Sequence, residues 1–274
     1  MSENAAGFVG SIPDEYDRGL GPLIFADYAD DMARRLAAAR PARVLEVAAG
    51  TGIVTRRLRD LLAADAHLTA TDLNPPMLAL ARTKIRPGER VAFQPADATA
   101  LPFPDGAFDA VACQFGVMFF PDKAASFREA RRVLAPGGRY VFSVWDANRH
   151  NPFARIAQEV TTSFFPADPP SFYEVPFGYH RIDPIKDALL EAGFQGVQIA
   201  VVRVEKDVPS AAAFARGLVF GNPLAEQVRA RGGDPDRVVA AVGEALRREF
   251  GPDPGRMRLQ AIVFEAARDQ GDRG

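Results

Sequence analysis

Val44-Leu-Glu-Val-Ala-Ala-Gly-Thr-Gly52 opens as a short apolar run and ends in small residues and two glycines. The chain then continues into a stretch with Val54, Leu58, Leu61 and Leu62 at helical spacing. An apolar run that turns over glycine into an amphipathic helix is the first half of a strand–turn–helix unit. The same alternation repeats downstream. His67–Thr71, Val91–Phe93, Phe108–Gln114 and Arg139–Trp145 read as strands, with helices over Pro75–Lys84 and Lys123–Leu134. Pro136-Gly-Gly138 marks the end of the second of these helices. A helix at Asp183–Ala192, a strand at Val197–Val204 and a closing strand at Arg258–Phe264 complete seven strands. Before all of them, Phe25, Tyr28, Met32 and Leu36 mark a first helix that opens at Pro22 and stops at Pro41. Apolar strands alternating with helices predict an α/β protein with a mostly parallel sheet covered on both faces.

The bulk composition agrees. The chain has 274 residues, 47% hydrophobic and 25% charged, enough apolar content for a sizeable core and too much for disorder. Thirty-three basic against thirty-five acidic residues leave a net charge of -2, so no global positive field points to nucleic acid. One cysteine builds neither an intramolecular disulfide nor a thiolate metal centre, and three scattered histidines show no ligand spacing, so no metal is expected. The longest uncharged apolar stretch, 110–121, is too short to span a bilayer, and no signal pattern opens the chain. The expectation is a cytoplasmic protein with a small-molecule partner.

Glycines at the carboxyl end of the first strand let a backbone approach a ligand closely, at the place where open α/β sheets bind ligands. Asp72 stands twenty residues after Gly52, at the end of the second strand, where an acid accepts from ribose hydroxyls. Two glycines alone are a weak signal; with Glu46 and Asp72 they point to a nucleoside-containing cofactor. Thr55 occupies the place where a dinucleotide fingerprint has glycine or alanine, and Glu46 repels a pyrophosphate. An acid there suits a cationic ligand, such as an ammonium near a sulfonium. These departures favour S-adenosylmethionine over NAD or FAD.

The ordered blocks 44–52, Ala70-Thr-Asp-Leu-Asn-Pro-Pro-Met-Leu78, 96–109 and Arg132-Val-Leu-Ala-Pro-Gly-Gly-Arg139 resemble the class I S-adenosylmethionine-dependent methyltransferases. The likeness is greatest to the branch that includes the ubiquinone/menaquinone C-methyltransferases, and it covers about 40–145 with an echo at 189–194. It implies a Rossmann-like three-layer sandwich of seven strands in a single domain, 1–274. The cofactor core would be 40–145, 183–204 and 257–266, with helical and aromatic cap insertions at 146–182 and 205–255. It also implies roles. Glu46 faces the methionine amino group, and Gly50, Thr51 and Gly52 line methionine and ribose. Asp72 holds the ribose hydroxyls, with Leu73 and Met77 against adenine and Asp97 with Ala98 at the adenine amino group. Gln114 meets the methionine moiety, Phe115 follows at the reaction centre, and Tyr16 matches a tyrosine-containing entry. Ala48 departs from the glycine common in the family. The insertions do not match the quinone enzymes.

Seven aromatics punctuate 146–182 (Phe153, Phe164, Phe165, Phe172, Tyr173, Phe177 and Tyr179). They read as a mini-core, as lining for an apolar acceptor pocket, or as both. Phe119, Trp145, Tyr173 and Tyr179 are the expected pocket residues. His150 and His180 flank this segment and are the candidate bases; a histidine in an irregular segment is more often structural. Cys113 reads as a small buried hydrophobe, and Arg56, Arg57 and Arg59 as a solvated helix face. The expected activity is methyl transfer to a small, largely apolar or aromatic acceptor. The alternatives are a regulator that binds S-adenosylmethionine without turnover and an aminopropyl transferase on the same fold.

Overall fold

The computed structural model describes residues 7–8 and 10–270. Seven strands, β1 (Arg43–Glu46), β2 (His67–Asp72), β3 (Val91–Pro95), β4 (Phe108–Gln114), β5 (Leu134–Trp145), β6 (Gln195–Val208) and β7 (Gly255–Ala267), form one sheet in the order β3-β2-β1-β4-β5-β7-β6. β1 pairs in parallel with β2 on one side (Leu45 opposite Thr69) and with β4 on the other (Leu45 opposite Val111). β2–β3 and β4–β5 are also parallel. The strand order therefore reverses between β1 and β4, which opens a crevice at their carboxyl ends. Val44 and Leu45 of β1 and Val111 to Cys113 of β4 are wholly buried, as strands covered on both faces require.

Two compact units share the chain. One comprises the described residues of 28–144, 180–201 and 262–274; the other comprises those of 1–27, 145–179 and 202–261. The first holds most of the sheet with α2 (Ala26–Ala37), α3 (Ile53–Leu61), α4 (Pro75–Thr83), α5 (Lys123–Val133) and α8 (Ile182–Glu191). Tyr140 and Phe142, two apart on β5, share a face and stack at 4.9 Å. Phe264 stacks on Phe142 at 5.0 Å, Phe127 of α5 tilts against it at 5.4 Å, and Phe194 stacks on Tyr140 at 5.8 Å. These rings are the core beneath the β4–β5 half of the sheet.

The second unit is built from α1 (Ile12–Glu15), the π-helical segment Tyr16–Phe25, α6 (Pro152–Phe164), α7 (Glu174–Gly178), α9 (Ala211–Phe220), α10 (Leu224–Ala230) and α11 (Pro235–Phe250). Its core gathers Phe25, Trp145, Phe153, Phe177 and Phe214, with ring centroids about 6 Å apart. Phe153 and Phe177 of the aromatic excursion thus share a core with Phe25, Trp145 and Phe214 from outside it, while Phe164 is exposed.

Several local expectations change. The first helical run starts at Ile12 rather than Pro22, and Pro22 lies inside it. The backbone there makes i→i+5 bonds, Ala26 N–H to Gly21 C=O for example; this wider turn relieves the ring clash that proline causes in an α-helix. Pro136-Gly-Gly138 is a register shift within β5 instead of a loop ahead of it. β6 and β7 are longer than their apolar runs, because exposed charged residues alternate along them. Arg59 is no solvated residue: it is buried and donates to the carbonyls of Leu62, Ala63 and Ala66, satisfying the end of α3. Arg56 is held by Glu89 and Asp60. Among the described residues no helix is long and apolar enough to cross a membrane.

Phe142 is the centre of the ring stack and fully buried. Phe142→Ala should destabilise the protein by about 3–5 kcal/mol. A fall in the urea midpoint without a change in slope is the expected result, and an unchanged midpoint would show that the stack does not hold the sheet.

Candidate functional site

β1 ends at Glu46, whose side chain is buried at the point where a loop must turn over to α3. Its Oε2 accepts from the Thr55 hydroxyl at 2.6 Å, and its carbonyl accepts from Thr71 Oγ1 at 2.9 Å. The loop hangs on its neighbours: Val47 N–H donates to Ala112 C=O and Ala49 N–H to Thr71 C=O, each at 2.8 Å. Gly50 N–H donates to Asp72 Oδ2 at 2.9 Å, so the second acid orients the loop that the first one opens. Asp72 Oδ1 also accepts from the backbone of Asn74 at 2.8 Å.

Glycine is required at two points. Gly52 sits at φ 81°, and a Cβ there would lie 2.7 Å from Ala81 of α4. Gly116, after β4, faces the loop: its Cβ would come within 2.5 Å of Ala48 Cβ and 2.8 Å of Cys113 Sγ. Ala48 itself has φ 54° and Phe115 has φ 53°, both left-handed in residues that disfavour it. The methyl of Ala48 fits because Gly116 carries none. Beside Gly50 the space where a Cβ would stand is open, which leaves a cradle for a ligand.

Two acids buried side by side resist ionising together. Burial raises the Glu46 carboxyl to about 8; the Thr55 hydroxyl bond opposes that rise and the charge of Asp72 adds to it. Asp72 is raised too, chiefly by burial, against the bonds from Asn74 and Gly50. The Cys113 thiol is pushed up to about 12 by burial and is inert. The crevice is thus acidic and suited to a cation, with donors and an apolar flank for a nucleoside. Leu73 is 61% exposed directly after Asp72, a large apolar side chain with an open face, while Met77 is buried on α4. Among the described residues no cluster of His, Cys, Asp and Glu could hold a metal.

The first unit brings together Glu46, Gly50, Thr51, Gly52 and Asp72, with Leu73 and Met77 following on. Asp97 is exposed, its Oδ1 accepting from the Thr99 backbone and hydroxyl at 2.8 and 2.7 Å, and Ala98 is buried beside it. Gln114 ends β4 opposite Ser143 of β5, and the Phe115 ring meets Tyr28 edge-on at 5.4 Å. Phe119 is half-buried on a 3₁₀ turn, Val117–Phe119. His180 precedes α8.

The remaining candidates belong to the second unit. Tyr16 stacks on Phe25 at 4.8 Å. Trp145 is buried among Phe25, Phe153 and Phe177. Tyr173 is buried with its hydroxyl donating to Leu218 C=O at 2.9 Å, and Tyr179 is half-buried after α7. His150 Nε2 accepts from Arg149 Nε at 3.1 Å. Sequence reasoning gave no structural role to Thr55, although its position nine residues after Glu46 and one turn into α3 was the available signal. It also missed Ser143, whose hydroxyl is buried with no hydrogen-bond partner among the described residues.

A methyltransferase-domain family profile matches residues 45–142. A demethylmenaquinone methyltransferase of Thermus thermophilus is 50% identical over 102 residues, covering 37% of this chain and 46% of that one. The ubiquinone/menaquinone biosynthesis C-methyltransferase UbiE of Shewanella frigidimarina is 31% identical over 176 residues, 59% of this chain and 70% of that protein. The chain thus spans about half of the first relative and over two thirds of the second. Among solved structures, a putative methyltransferase from Bacillus halodurans shares the fold with a TM-score of 0.56 at 22% identity, over 88% of this chain and 98% of that one. Phosphoethanolamine N-methyltransferase 2 of Haemonchus contortus, solved with S-adenosyl-L-methionine, gives 0.61 at 16%, over 94% of this chain and 57% of that one.

The Ala48–Gly116 contact has a direct test. Gly116→Ala should destabilise the protein by about 1–3 kcal/mol through overpacking. Adding Ala48→Gly should return part of that loss, measured as a positive coupling in a double-mutant thermal cycle. Strict additivity would show that the two positions do not meet.

Proposed function

The chain belongs to the class I S-adenosylmethionine-dependent methyltransferases, in the branch of the ubiquinone/menaquinone C-methyltransferases, and we propose that its acceptor is a small, largely apolar or aromatic molecule. The observation that carries the donor side is the pair of buried acids, Glu46 and Asp72, bracketing the open cradle at Gly50. A dinucleotide would set a pyrophosphate against these acids; a sulfonium with an ammonium group meets them favourably. On the acceptor side, the names of the relatives give a quinone ring as the nearest chemistry. Residues 145–179 and 202–261 lie outside the matched 45–142.

When bound, S-adenosylmethionine supplies an electrophilic methyl group on a sulfonium leaving group. Glu46 holds the ammonium, positioned by Thr55; Asp72 accepts from the ribose hydroxyls. Leu73 and Met77 flank adenine, and Asp97, with one oxygen turned to Thr99, offers the other beside Ala98. Gln114 and Phe115 close on the methionine end, with Phe119 toward the acceptor. The transfer is a displacement on carbon, so alignment and exclusion of water supply most of the rate. For a ring-carbon acceptor, a proton must leave the ring after the new bond forms, and His150 and His180 stay the candidate bases.

Methyl-labelled S-adenosylmethionine incubated with reduced demethylmenaquinone and a panel of simple phenols should label an apolar aromatic product. Asp72→Ala should raise the cofactor KM about tenfold or more, since it removes charge-assisted hydrogen bonds worth roughly 1.5–3 kcal/mol each. Tight cofactor binding with label reaching no acceptor, in the panel or in a cell extract, would support the regulator reading instead.

The raised Glu46 carboxyl sets a pH dependence. Its folded value lies above the usual 4.5, so in the ligand-free protein its stabilising contribution is present below that value and is lost as pH rises toward about 8. Cofactor binding runs the other way. A cation beside Glu46 favours the carboxylate, so binding releases a proton and tightens as pH rises through about 6 to 8. Calorimetry in buffers of different ionisation enthalpy should show that release, and Glu46→Gln should abolish it. Affinity independent of pH would remove Glu46 from the ammonium site.

A further inference from the structure

β6 and β7 carry, in the unit they share with α6, a cleft of about 650 Å³ whose charges the methyl-transfer reading leaves unused. Side-chain contacts fall in antiparallel register, Arg203 with Gln260 and Glu205 with Arg258. Alternate residues of both strands therefore face outward into the cleft, and Arg149 and Glu249 complete its charged lining. We propose that this cleft binds a small oxyanion, the phosphate or carboxylate group of a low-molecular-weight ligand. None of Glu46, Asp72 and Gln114 lines it; of the residues named for methyl transfer only His150 does.

Charge and geometry both support it. The two carboxylates of the cleft are already matched: Glu205 by Arg256 at 2.7 Å and Arg258 at 3.2 Å, Glu249 by Arg155 at 3.4 Å. Arg149 and Arg203 have only neutral hydrogen-bond partners among the described residues, His150 and Gln260. Two guanidinium charges are left without an anion.

Arg203 is also held in place. Its Nε donates to Gln260 Oε1 at 2.9 Å, and Gln260 Nε2 donates to the buried Asp146 at 2.6 Å. Those two bonds fix the sense of the Gln260 amide, so the Arg203 stem is set and its two terminal nitrogens remain as a fork. A fork of parallel N–H groups matches two oxygens of one oxyanion.

Pro152, at the start of the thirteen-residue α6, lines the same cleft. The Asn151 cap spends its side chain elsewhere: Nδ2 donates to Asp146 and Gln260 carbonyls at 3.0 Å, and Oδ1 accepts from Gln260 N–H. The helix therefore has no side-chain cap, and its positive end adds to the two arginines.

The test is titration of the full chain at low ionic strength with inorganic phosphate, pyrophosphate and citrate, followed by calorimetry and NMR. One saturable site is expected, weakened about tenfold or more by Arg203→Gln and by Arg149→Gln, and unchanged by Arg237→Gln, an exposed charge on α11. Preference for phosphate or pyrophosphate over citrate, or the reverse, assigns the ligand class. Arg149 lies on an exposed turn, so Arg149→Gln carries the test if Arg203→Gln unfolds. Absence of saturable binding, or equal weakening by Arg237→Gln, would overturn the proposal.

Discussion

A carboxyl group taken out of water at the end of β1 imposes terms on everything around it. Glu46 is 2% exposed, and a buried acid needs hydrogen-bond donors or a proton. Thr55 provides one donor from the first turn of α3, which fixes how the helix leaves the strand. That exit path forces the chain through the left-handed positions at Ala48, Gly50 and Gly52. Asp72 then ties the loop from the neighbouring strand through Gly50 N–H. The strand order places these groups together, because it reverses between β1 and β4, where an open sheet leaves a crevice above its carboxyl edge.

Strain gathers at the same edge. Left-handed backbone in a non-glycine residue costs about 1–3 kcal/mol, and two of the three such residues among those described, Ala48 and Phe115, flank the crevice. Phe115 N–H donates to Ser143 C=O, so the ladder between β4 and β5 holds the strained residue in place. The opposition of a tied ladder and an unfavourable φ fixes the ring of Phe115 against Tyr28. A looser tip would let that ring swing and leave the crevice without a defined wall.

The strand–helix rhythm was legible because its signals are local: apolar runs, glycine turns and helical spacing. The turn from β1 into α3 was legible for the same reason, since Glu46, Gly50 and Gly52 fall within seven residues. Arg59 was not, because on a helical wheel a buried arginine that caps carbonyls looks the same as a solvated one; only the turn of the chain at 62–66 brings the acceptors to it. Pro22 misled because proline is read against α-helical bonding, and the segment bonds one residue further. Tyr173 shows the limit for aromatic clusters. Its spacing does not say whether a hydroxyl faces a ligand or, as here, the carbonyl of Leu218, forty-five residues away.

The place of β7 in the sheet bears on how the chain is made. The strand last in sequence is inserted between β5 and β6, not added at an edge. While the ribosome is still producing residues 209–254, β5 has its partner β4 on one side and an open row of N–H and C=O groups on the other. At about 5–20 residues per second that row stands open for seconds. An open apolar strand is a template for any passing strand, including one from another nascent copy. β6, already released, can reach β5 before its proper neighbour exists. Its alternating charges, Arg203, Glu205 and Asp207, make that premature pairing unfavourable in a way an apolar β6 would not.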